Sequence, residues 1–154
     1  MLYNPAVAEE YDFKKLAQEI VSARLKDIAA APDAAAEIAC QIIVSGVQST
    51  RQRQDPRLTV MNTCRGVMSG MMLIDQDLGA AAVAILKSMA NLAQELHLDP
   101  AQTMTWAMEG IASVVILGAG DLQLRVTEAI DENIMGAGAV FVELCAQAKA
   151  ERGS

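Results

Sequence analysis

His97 is the one histidine among 154 residues, and Glu95 stands two positions before it. In a regular helix, residues two apart point in different directions, so this pair cannot chelate one metal ion. His97 ends a helical stretch, where the helix dipole favours a cation, and a capping role accounts for it. Asp75 and Asp77 fall at a helix junction and read as caps, while Glu128, Asp131 and Glu132 have helical neighbour spacing and make at most a weak cation site. Cys40, Cys64 and Cys145 are widely spaced with no CxxC pair, and read as reduced core thiols of a cytoplasmic protein. The chain has no HExxH, no paired ExxH, no Walker loop, no GxGxxG and no GxSxG. The reading is a non-enzymatic protein with no catalytic residue, no metal ligand and no cofactor; an enzyme would need a cleft gathering Asp75, Glu109 and His97.

The remaining candidates concern binding. Gly66-Val-Met-Ser-Gly70 has the spacing that lets two helix backbones approach closely, and Gly110 with Ser113 repeats the small positions further on. These residues form either a homodimer seam or a helix crossing inside one subunit. Arg65 and Glu109 are each nearly alone in an apolar stretch, and a buried charge is costly unless paired, so they bond each other, reach the surface or face a ligand. Met68, Met71 and Met72, with further methionines at 61, 89, 104 and 108, fill gaps in a core short of aromatics or line an adaptable apolar pocket. Arg51, Arg53 and Arg57 surround one loop, where an anion or acidic partner could dock.

The elements that must carry these residues are helices. Asn4-Pro5, Asp55-Pro56 and Asp99-Pro100 each place an N-cap acceptor before a residue pre-set at helical φ, and Asp33, Asp77 and Asp121 supply further caps. Apolar spacing of three and four then predicts six helices, at about 8–30, 34–52, 56–74, 78–97, 100–117 and 121–150. The first places Phe13, Leu16, Ala17, Ile20, Val21, Leu25 and Ile28 on one stripe, and the third is apolar on most sides, which implies several neighbours. Gly136 and Gly138 interrupt the sixth as a kink, a split or a close backbone approach.

Residues 55–79 and 99–123 also resemble each other at an offset of 44. They share Asp55/Asp99, Pro56/Pro100, Thr59/Thr103, Gly66/Gly110, Ser69/Ser113, Leu73/Leu117, Asp77/Asp121 and Leu78/Leu122. A period in the forties is the range of two-helix repeats, so a duplicated unit spanning about 55–98 and 99–142 is expected. The expected fold is all-α: antiparallel hairpins in a single compact bundle-like domain over residues 1–150, with a flexible tail at 151–154. A short stack of hairpins fits the period, but a compact globule with a local pseudo-two-fold axis is preferred for so few repeats.

A net charge of -7 disfavours nucleic acid and anionic membrane surfaces, and the most apolar run, residues 104–120, is short for a membrane span. The functional expectation is a helical interaction protein, self-associating as a dimer through an apolar helix face or binding another protein. The alternative is an apolar small molecule held in a methionine-lined cavity between the third, fourth and fifth helices.

Overall fold

The computed structural model describes residues 12–49 and 55–153, and within them the chain forms seven α-helices and no strand. They are α1 (Phe13–Arg24), α2 (Ala31–Ser49), α3 (Pro56–Leu73), α4 (Leu78–Leu96), α5 (Pro100–Val115), α6 (Leu122–Asn133) and α7 (Ala137–Gly153). The expected start at Asn4-Pro5 and the arginines Arg51 and Arg53 lie outside the described residues. No described helix is long and apolar enough to cross a membrane.

Local chemistry sets most of the boundaries. The carboxylates of Asp55, Asp77 and Asp99 accept the amides of Arg57, Ala80 and Gln102 at 2.9, 3.0 and 2.9 Å, so each closes one of the open donors at a helix start. Asp121 makes no such bond and instead pairs with Arg125 one turn on, at 2.9 Å. Asp33 is not a cap, because α2 begins at Ala31 and Asp33 already lies in its first turn. The first helix ends at Arg24 rather than near residue 30, and Ile28 leaves the buried stripe to stand exposed. Pro32 opens the next helix, and its ring cannot continue a preceding one.

The expected sixth helix is two helices. Gly136 adopts φ of +83°, a conformation L side chains rarely take, and the chain restarts as α7. Asp131 of α6 stabilises the restart by accepting the amide of Gly138 at 3.2 Å. α7 continues to Gly153, so residues 151–153 of the expected tail are helical.

Alternate helices are neighbours. α1, α3, α5 and α7 form one row, each touching the next, and α2, α4 and α6 form a second row against it. α3 touches α1, α2, α4 and α5, which explains why apolar residues surround it. The helices pack compactly around Val60, Val67, Met68, Met71, Ile85 and Ile111, all fully buried.

The glycines fix how closely the first row packs. A Cβ on Gly66 would overlap the carbonyl oxygen of Lys14 in α1, and one on Gly110 would overlap the carbonyl oxygen of Met61 in α3. A pseudo-two-fold would have set Gly66 against α5 in return for Gly110 against α3. Gly66 instead meets α1, so α3 stands to α1 much as α5 stands to α3. The two similar stretches thus lie side by side in their rows, as in stacked hairpins, and the preferred pseudo-two-fold globule is corrected on this point. Their correspondence ends in the second row, where α4 has 19 residues and α6 only 12.

Candidate functional site

Glu109 does not bond Arg65. Its Oε2 accepts a hydrogen bond from Nη2 of Arg57 at 2.7 Å, joining the first turn of α3 to α5, with the two side chains 21% and 47% exposed respectively. The bond to Glu109 holds the Arg57 guanidinium pKa above its usual value. Arg65 donates from Nε to Ser113 Oγ at 2.8 Å, and that hydroxyl donates to the carbonyl of Gly110 at 2.6 Å. The predicted Arg65–Glu109 pair failed because it required a two-fold relation that the rows do not have. Thr63, fully buried one turn from Thr59, leaves its Oγ1 without a partner among the described residues.

The small residues serve the interior of one subunit. Gly66 and Gly70 lie against Ala17 and Val21 of α1, and Gly110 lies against Cys64 and Arg65 of α3. Met68 and Met71 are fully buried, Met108 nearly so, and Met72 is half-buried beside them. A seam between two copies through Gly66, Gly70, Met68 and Met71 would need a surface these residues do not reach; the homodimer-seam reading gives way to the crossing inside one subunit, with α1 rather than α5 as the partner of Gly66 and Gly70.

Glu128, Asp131 and Glu132 come together on a shallow cleft of about 520 Å³ between α6 and α7, floored by Gly138 and Val142. Among the described residues no group of three His, Cys, Asp or Glu side chains is placed to hold a metal ion. His97 adopts a left-handed conformation, φ 57°, as the C-cap of α4. Cys40, Cys64 and Cys145 are free thiols. Burial raises all three above the usual thiol range, Cys145 to about 11, so little thiolate forms near neutrality.

Sequence reasoning missed a groove of about 1410 Å³ at one end of the rows. The connections α1–α2, α3–α4 and α5–α6 all reach it, because alternating helices return every second turn to the same end. Met72, Leu78, Val83, Leu117, Leu122 and Val126 supply its apolar surface. Its charged residues are Asp33, Asp75 and Asp77 on the α2 start and the α3–α4 turn, and Lys87 and Arg125 on α4 and α6. Three of these are engaged: Asp77 as a cap, Lys87 with Asn133 at 3.3 Å, and Arg125 with Asp121. A sequence signal for the groove did exist. Leu73 and Leu117 are an identical pair in the 44-residue echo, and both stand exposed at this end, at 66% and 55%.

The enzyme-like trio is dispersed. Asp75 lines the groove, Glu109 is held by Arg57, and His97 lies at the far end of the 19-residue α4, roughly 27 Å along the helix from its start in the groove. Comparison with known proteins finds no family model, no characterised relative and no solved structure that matches the chain.

The Arg57–Glu109 bond is partly solvated, so screening keeps its worth small. A double-mutant cycle with Arg57→Ala and Glu109→Ala, read by urea unfolding, should give a coupling of about 0.5–1 kcal/mol. The same cycle with Arg65→Ala and Glu109→Ala should give a coupling near zero.

Proposed function

We propose that this chain is a non-enzymatic helical interaction protein that takes a segment of a partner polypeptide into the groove at the turn end. The observation that carries the reading is the apolar surface of that groove, where Met72, Val83, Leu122 and the 55%-exposed Leu117 line one open concavity. An exposed large apolar side chain is ordinary on its own, but one that continues the lining of an apolar concavity fits a contact surface. The volume supports a polypeptide over a small molecule: small-ligand sites usually enclose about 300–1,000 Å³, whereas this groove is larger and open. The three free thiols suit a reducing compartment, and the cytoplasm is the location we propose.

Self-association is a second reading, favoured by a different surface. Met135 is 99% exposed in the α6–α7 turn, and Val140 and Val142 stand exposed on α7, the last helix of its row. A helix at the end of a stack has one flank that no further helix covers.

Both readings have direct tests. In ¹⁵N-correlated NMR spectra, titration with a leucine-faced helical probe peptide of about twelve residues should shift amides of the three groove turns, such as Ala30, Leu78 and Leu117. Absence of shifts, or shifts confined to other surfaces, would refute the docking reading. Light scattering should give a mass above 16.4 kDa that returns to 16.4 kDa in Val140→Glu/Val142→Glu if α7 mediates self-association; a wild-type monomer at every accessible concentration removes that reading.

A further inference from the structure

We infer that the segment received by the groove is basic as well as apolar: an amphipathic helix with Lys or Arg beside its apolar stripe. This inference rests on the docking reading and adds the charge of the partner. It follows from how the charges of the groove balance. Arg125 is neutralised by Asp121 at 2.9 Å, while Lys87, bonded to the neutral Asn133 amide oxygen, and Asp77, bonded to the amide of Ala80, keep opposite charges that offset each other in the sum. Asp33 and Asp75 are different. Both line the groove, both are exposed, and among the described residues neither carboxylate has a hydrogen-bonding or ion-pairing partner.

The two free carboxylates come from the start of α2 and from the α3–α4 turn, and line the same groove as Leu78, Val83 and Leu117. Asp75 is held by its backbone at φ 57°, and its amide bonds the carbonyl of Met72 at 3.2 Å, so its position is set by the turn. An incoming helix that lays leucines on the groove's apolar lining therefore meets two unpaired negative charges in the same groove. An acidic edge on that helix would be repelled, and a basic edge attracted. The overall charge of -7 adds steering of the same sign.

The test uses two fluorescein-labelled helical peptides of about twelve residues with one identical leucine face, differing only in two Lys or two Glu at its edge. Fluorescence anisotropy should show the Lys peptide binding about 10-fold tighter at low salt, as two partly exposed charge contacts would give, with the difference shrinking toward 1 M salt. Asp33→Asn/Asp75→Asn should abolish the preference, whereas Glu19→Gln/Glu143→Gln, which removes the same charge elsewhere, should retain it. Equal binding of the two peptides, or tighter binding of the Glu peptide, overturns the inference while leaving the groove as a docking site. Equal loss of preference in both double variants also overturns it, since the attraction would then belong to the whole surface. Binding of neither peptide overturns the docking reading with it.

Discussion

Backbone meets backbone at two glycines, and the rest of the molecule is arranged around those contacts. The carbonyl of Lys14 occupies the space a side chain on Gly66 would need, and the carbonyl of Met61 does the same at Gly110. Gly66 and Gly110 are each the eleventh residue of their helix, counted from Pro56 and Pro100. The same point of each helix is thereby pinned to its neighbour in the row. The turns that follow α3 and α5 both reach the one groove, where Leu117 stands exposed.

A core built this way has little use for large aromatic side chains. A Cβ on Gly46 would come within 2.9 Å of the Phe13 ring and one on Gly70 within 2.8 Å of Val21, and Met68, Met71 and Met89 are each fully buried in the core. Unbranched, flexible methionines follow the irregular gaps that closely spaced helices leave. Two such rows give α3 four neighbouring helices, whereas among the described residues α7 touches α5 and α6 alone. The proposed contact surfaces accordingly sit where the rows stop, at the turns and at the last helix, and away from the small-residue face of α3.

Local features of this fold were legible in the sequence, because a cap is decided by residues within one turn. Asp55, Asp77 and Asp99 each stand where their spacing placed them, and Gly136 marks a true break. The early end of α1 was less legible: a stripe that runs through Ile28 obscured the proline four residues later. The partners of Arg65 and Glu109 were not legible at all. Both lie at equivalent positions of similar stretches, and a two-fold relation and a lateral step predict different neighbours from identical residues. Choosing between them needs the contact of Gly66 with α1, which no spacing within residues 55–123 contains. The groove escaped for a related reason, since its walls come from three turns far apart in the chain; Leu117 on its wall was visible as half of an echo but not as part of a surface.

The central claim is that Gly66 and Gly110 are places where a side chain cannot fit between neighbouring helices of one subunit. The direct measurement is the unfolding free energy of Gly66→Ala and Gly110→Ala beside Gly153→Ala, whose added Cβ would meet nothing. Alanine favours a helix over glycine by about 1 kcal/mol, so an unobstructed site should gain stability. The account predicts that Gly66→Ala and Gly110→Ala each lose about 1–3 kcal/mol through overpacking, while Gly153→Ala is unchanged or slightly more stable. Two variants at 66 and 110 as stable as the wild type, or more so, would contradict it.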